Sequence, residues 1–235
     1  MQQPSARWLV ALVLALCAPA ALQGQLTRLD TVYDNTRFPV LINGVDQAFI
    51  ARTNEIGDEI SLAGSARKVR DFAFEYFSDF KPDGDETMRV RFYANDGPGI
   101  FPKPGTLLWD SGFLPVATNR YNRQNLSIPD VLVPDTFTWS ISFGGVTQAP
   151  GDQMGILLYS PPTIGALLNG GEVGSYDDYW RNTSGIWSFF RIQSGAIPAN
   201  FAARVLAVPE PAPLLLGLLA GVGWLSVRRW RGPPG

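Results

Sequence analysis

Residues 136–143 alternate without a break: Phe137, Trp139, Ile141 and Phe143 fall on one side, and Thr136, Thr138, Ser140 and Ser142 on the other. Successive side chains of an extended chain point to opposite faces, so this segment reads as a strand with one buried face. Met88, Val90, Phe92 and Ala94 alternate likewise with Arg89, Arg91 and Tyr93. Phe72, Phe74 and Tyr76 alternate with Ala73, Glu75 and Phe77, the pattern of a strand covered on much of both faces. Further extended stretches are expected at 40–42, 48–52, 59–63, 106–110, 125–128, 155–159, 186–192 and 201–206. Turn chemistry separates them at Asn43-Gly44, Pro82-Asp83-Gly84-Asp85, Asn95-Asp96-Gly97-Pro98 and Gly144-Gly145. Helical periodicity is not sustained anywhere in the body. The expectation is an all-β, two-sheet antiparallel sandwich with jelly-roll-like winding, in which residues 165–182, the least regular stretch, form a loop over one edge.

Composition removes whole classes of chemistry. The 235 residues include no His and one Cys, Cys17. Ser-His-Asp and Cys-His catalysis, imidazole metal sites and zinc-cysteine clusters are therefore excluded from the body.

The two ends differ from the body. Arg7 is the only charge before the apolar run from Trp8 to Leu16, and the small residues Cys17-Ala18-Pro19-Ala20-Ala21 follow. A positive start, a short apolar centre and a small-residue exit describe a secretory signal peptide over 1–24. Leu16 is bulky where a lipid-attachment signal needs a small residue before Cys17, so lipidation is not expected. At the other end, Val208-Pro209-Glu210-Pro211 precedes an uncharged stretch over 212–227, and Arg228, Arg229 and Arg231 follow. Sixteen helical residues reach about 24 Å, and Trp224, Trp230 and the arginine stems can make up the rest of a bilayer at its interface. The basic cluster should stay cytoplasmic and leave the body outside.

A Pro-Glu-Pro triplet, an apolar helix and a terminal arginine cluster, in that order, resemble the PEP-CTERM sorting signal of Gram-negative bacteria. Pro209, Glu210 and Pro211 match its motif; Arg228, Arg229 and Arg231 match its basic end. The resemblance covers about the last thirty residues. It implies that an exosortase, an intramembrane cysteine transpeptidase-like enzyme, reads 208–235 at the inner membrane. Cleavage near the triplet would then send the body to the cell surface or matrix, with exopolysaccharide and biofilm as the associated setting. Pro209 and Pro211 lack amide donors and hold the segment extended, which leaves it accessible to such an enzyme. Segments 57–64, 72–77, 90–97 and 104–112 also resemble bodies of other PEP-CTERM proteins, without implying a role.

The chain thus divides into 1–24, a β-sandwich body over 25–207, and a sorting segment over 208–235. Without Arg7, Arg228, Arg229, Arg231 and Glu210 the body holds fifteen basic and twenty acidic residues, a net charge of about −5. An acidic domain without a basic stripe is not built for nucleic acid.

Three kinds of site are readable in the body. Tyr176-Asp177-Asp178-Tyr179-Trp180 puts three aromatics and two carboxylates together without period two, as sugar-stacking sites do, although edge packing gives the same pattern. Asp83, Asp85 and Glu86 offer hard oxygen ligands to a structural calcium, but the Asp-x-Asp-x-Asp-Gly spacing is absent and Asp83-Gly84 also suits a hairpin turn. For catalysis, Gly-x-Ser-x-Gly and the glycine-rich phosphate and dinucleotide loops are missing. Ser65-Ala-Arg-Lys68 matches Ser-x-x-Lys in a turn where catalysis needs a helix. A glycosidase-like pair drawn from Glu75, Asp79, Asp110 or other carboxylates stays open. The expected function is non-catalytic: an exported structural or glycan-binding sandwich without a cofactor. Its rival is a secreted carbohydrate-active hydrolase with the same sorting tail.

Overall fold

The computed structural model describes residues 28–42, 45–46, 48–50, 54–101, 103–145, 153–166 and 176–209. The segment expected as a signal peptide, the apolar stretch over 212–227 and Glu210, Pro211, Arg228, Arg229 and Arg231 lie outside them. The chain divides into two compact units, Leu29–Ala207 and a second made of Met1–Arg28 with Val208–Gly235; the strands belong to the first, apart from the last residue of the final one.

These strands are β1 (Asp30–Asn35), β2 (Leu41–Ile42), β3 (Val45–Asp46), β4 (Ala48–Ile50), β5 (Glu55–Ser61), β6 (Lys68–Asp79), β7 (Thr87–Ala94), β8 (Leu107–Asp110), β9 (Leu114–Pro115), β10 (Tyr121–Leu132), β11 (Thr136–Gly144), β12 (Gln153–Leu157), β13 (Tyr179–Thr183), β14 (Ile186–Phe190) and β15 (Ala203–Val208). The first sheet runs β1-β15-β6-β12-β4, with β10 also paired to β6; the second runs β14-β13-β5-β11-β7-β8, with β9 paired to β7. Strands β2 and β3 form a small ribbon. All of the registered pairings are antiparallel. The two-sheet β-sandwich agrees with the expectation from alternation. The chain crosses repeatedly between the sheets, and the turn at Asp83-Gly84 joins β6 of one sheet to β7 of the other. It is a crossover and not the hairpin its sequence suggests.

The interior is an aromatic layer. Phe72 on β6 meets Phe92 on β7 and Trp139 on β11, each at 5.1 Å between ring centroids and in edge-to-face geometry. Phe137 joins at 5.2 Å from Phe92, and Phe201 caps Trp139 at 5.8 Å. Ring pairs of this geometry add to the area they bury, so this layer locks the two sheets in one relative position. Trp139 is fully buried, as its alternation requires.

Several segments depart from the sequence pattern, among them β1, which has no counterpart in the expected stretches. Strand β5 begins at Glu55, earlier than the expected 59–63, and takes in Gly57 and Asp58. Gly57 is needed there, since a Cβ would come within 2.7 Å of Thr138 Cγ2 on β11. Asp58 faces inward, fully buried, and accepts the Phe201 amide at 2.9 Å. Strand β10 runs well past 125–128 by absorbing a register shift between Ser127 and Val131; there Asp130 takes a positive φ of 52° and pairs with Arg70 through both carboxylate oxygens. Strand β13 occupies part of the stretch expected as a loop. Among the described residues, no helix is long and apolar enough to cross a membrane.

Replacing Phe72 by Ala should open a cavity at the meeting point of both sheets. The expected loss is about 3–5 kcal/mol of unfolding free energy, read as a lower urea midpoint. A loss below about 1 kcal/mol would contradict the interlock.

Candidate functional site

Because Trp139 and Ile141 point inward, Thr138 and Ser140 point outward, and register carries this across the second sheet. Thr138 stands opposite Glu59 on β5 and Tyr93 on β7. Trp180 on β13 stands opposite Gly57 and Phe189, and Asn182 opposite Glu55 and Trp187. The outer face of this sheet therefore carries aromatics along the β13–β14 hairpin and carboxylates along β5.

The two glutamates of that face have different surroundings. Glu55 is buried and fully engaged. Tyr93 Oη donates to it at 3.0 Å, Ser140 Oγ at 2.5 Å and Asn182 Nδ2 at 3.1 Å, and Arg91 pairs with it at 2.9 Å. Arg91 continues to Asp110 at 3.0 Å, and Asp110 also binds Arg89. Burial opposes ionisation of Asp110, but Arg89, the Gly112 amide and Arg91 outweigh it and hold the carboxyl at about 2. The Tyr93 hydroxyl is pushed well above its ordinary range, first by burial and then by Glu55.

Glu59 has no such partners. It lines a cavity of about 240 Å³ with Phe101, Tyr176, Asp178, Trp180, Phe189 and Arg191. Burial and the nearby Asp178 carboxylate raise its pKa from 4.5 to about 7; Trp180 and Asn95, which face it, pull in the other direction. That pull stops short of a full hydrogen bond: Trp180 Nε1 and Asn95 Nδ2 are buried donors with no acceptor at bonding geometry. Arg191 lies 5.8 Å from the Phe189 ring centre and is not among the groups that hold Glu59 down.

One wall comes from the β7–β8 loop. Asp96 anchors it through the Thr106 amide at 2.6 Å and the Thr106 hydroxyl at 2.7 Å, while Gly97 N donates to Lys103 O at 3.0 Å. Its Phe101 stacks on Phe189, with planes 17° apart and centroids 6.2 Å apart. Trp180 meets Phe189 edge-on at 5.7 Å. Other cavities among the described residues include one of about 470 Å³ beside Trp187 and Lys103 and one of about 300 Å³ beside Arg123 and Arg204. Neither is lined by a buried indole N–H left without an acceptor.

Of the segment expected to bind sugar, Tyr176, Asp178 and Trp180 line the cavity, and the other two residues turn away. Asp177 Oδ1 accepts from Asn200 Nδ2 at 3.1 Å. Tyr179 packs in the core, 6.5 Å from Phe201, because strand alternation starts at this residue. Asp83, Asp85 and Glu86 do converge, with one carboxylate oxygen from each within 4.8 Å of the others. The Glu86 carboxylate also accepts from the Asp83 and Gly84 amides, at 2.9 and 3.1 Å. Glu75, Asp79 and Asp110 each lie beside a different arginine: Arg123, Arg120 and Arg89. Arg67, within Ser65–Lys68, binds the Ala63, Gly64 and Ala66 carbonyls and Asp135 as a turn clamp. Val208 ends β15, and Pro209 follows it directly.

Motif and composition do not single out Glu59, Phe101 and Phe189. Glu59 becomes visible when the alternation of Ile56, Asp58 and Ile60 is extended through the glycine, which places Glu55, Gly57 and Glu59 on the outer face. No protein family, curated protein or solved structure matches this chain.

The raised pKa of Glu59 has a definite sign in stability. The folded chain keeps a proton that the unfolded chain releases above about pH 4.5, so stability falls as pH rises from there through about 7. Glu59→Gln should flatten that slope and add about 1–3 kcal/mol at pH 8. Chemical denaturation at intervals from pH 5 to 8 reads it, and parallel slopes for both proteins would refute the assignment.

Proposed function

We propose that this chain is an exported β-sandwich that binds glycan in the cavity of Glu59, Tyr176, Asp178 and Trp180. The observation that carries the reading is the combination of aromatic walls with a carboxylate floor and a buried indole N–H that lacks an acceptor. Rings of this kind stack on the apolar faces of sugars, while carboxylates and an N–H take hydroxyls. The setting is the cell surface or an exopolysaccharide matrix. Supporting it are the signal-peptide pattern of 1–24 and the PEP-CTERM-like order of Pro209-Glu210-Pro211, apolar stretch and arginines, which an exosortase would read at the inner membrane. The sandwich is wound in jelly-roll fashion in this reading, supported by the repeated crossing of the chain between its sheets.

One observation favours hydrolysis as a second reading. Glu59 and Asp178 lie in one cavity, and Glu59 holds a proton near neutral pH, which suits a general acid beside an ionised partner.

Both readings are tested in one tube. Tryptophan fluorescence follows titration with the exopolysaccharide of the source organism while reducing ends are assayed. Saturable quenching without new reducing ends is expected, and Trp180→Ala should weaken binding at least about tenfold. New reducing ends that vanish in Glu59→Gln would establish the hydrolase instead. Unchanged binding by Trp180→Ala would remove this cavity from either role.

A further inference from the structure

Among the described residues that line the Glu59 cavity, two are carboxylates, four are aromatic and one, Arg191, is basic. A neutral sugar needs hydroxyl acceptors and a ring to stack on. It does not need two acids close enough for one to oppose ionisation of the other. Placing two carboxylates together disfavours their ionised forms, and a cation between them favours those forms. Aromatic faces add to the same preference, because their negative quadrupoles attract ammonium groups. The buried Trp180 N–H, on a side chain only 5% exposed, cannot be satisfied by a cation and calls for an oxygen on the same ligand.

Resting on the glycan-binding reading, we propose that the cavity is a site for an organic ammonium group carried by an amino sugar. The ammonium sits between Glu59 and Asp178 with Trp180 and Tyr176 beside it, and a ring or hydroxyl oxygen of the sugar accepts from Trp180 Nε1. The charged groups around Glu59 fit this assignment. Asp178 precedes β13, and Arg191 follows β14 and lies against Phe189. On the sheet itself, Glu55 is already matched by Arg91. In the loop, Asp96 is committed to Thr106. Binding a fixed positive charge favours the ionised form of Glu59, so affinity rises as pH rises across 7.

The test uses the full chain and four probes in calorimetry: the β-1,4-linked tetramers of glucosamine, N-acetylglucosamine and glucose, and choline, whose charge does not titrate. At pH 6.5 the glucosamine tetramer should bind at least about tenfold more tightly than the other two tetramers. Choline should bind more tightly at pH 8 than at pH 6 in the wild type, and Glu59→Gln should abolish that dependence. Trp180→Phe, which keeps an aromatic face and loses the N–H, should weaken the tetramers far more than it weakens choline. Equal affinity for the three tetramers would overturn the ammonium site and leave the glycan-binding reading standing. Capture of choline through Glu59 with no tetramer bound would do the reverse. No binding of choline and no preference for the glucosamine tetramer would overturn the proposal outright.

Discussion

The edge-to-face contact of Phe72 with Phe92 and Trp139 decides the rest of the structure. It fixes the inward face of β7 and β11, and register then fixes the outward face of every strand paired to them. With Trp139 inward, Thr138 must be outward, and Glu59 stands opposite it. A shift of one residue would send Glu59 into the aromatic layer and bring Ile60 out to solvent. The position of the cavity is therefore a consequence of core packing, and the site inherits the rigidity of the sandwich.

Glu55 and Glu59 show how environment alone divides the roles of like residues on one strand. Around Glu55, donors from Tyr93, Ser140 and Asn182 and the charge of Arg91 satisfy the carboxylate completely, so it welds β5 to β7, β11 and β13. Around Glu59, burial and Asp178 outweigh the pull of Trp180 and Asn95, and the carboxyl holds its proton near neutral pH. A fully satisfied network rigidifies a structure, whereas an incompletely satisfied one marks where a ligand completes it. Both lie on the outer face of one sheet, so the first supports the second.

Much of this fold is legible in alternation. The strands β7 and β11 follow the period-two pattern almost to the residue, because each has one apolar and one polar face. Strands β5 and β10 run on through residues of turn type. Gly57-Asp58 lies mid-strand because β11 approaches too closely for a side chain, and Asp58 finds the Phe201 amide in the core. Pro129-Asp130 lies inside β10 because the strand bulges there. For the candidate site, the Tyr176–Trp180 cluster supplies Tyr176, Asp178 and Trp180 to the cavity, but its pattern does not separate Tyr179, which packs in the core cluster, from Trp180, which lines the cavity. Glu59, Phe101 and Phe189 come from three distant segments that only the β5–β13–β14 pairing and the β7–β8 loop bring together. The crossover nature of Asp83-Gly84 is equally illegible, since a turn between sheets and a hairpin share the same residues.

The protonation state of Glu59 is what most distinguishes this cavity among the described residues. Carbon-detected nuclear magnetic resonance of the Glu59 side chain, followed from pH 3 to 9 in the free protein, measures that state directly. The structure predicts a midpoint near 7, well above that of an ordinary glutamate. A midpoint near the ordinary 4.5 would mean that Glu59 is solvated and uncoupled from Asp178, and the cavity would lose its distinguishing feature.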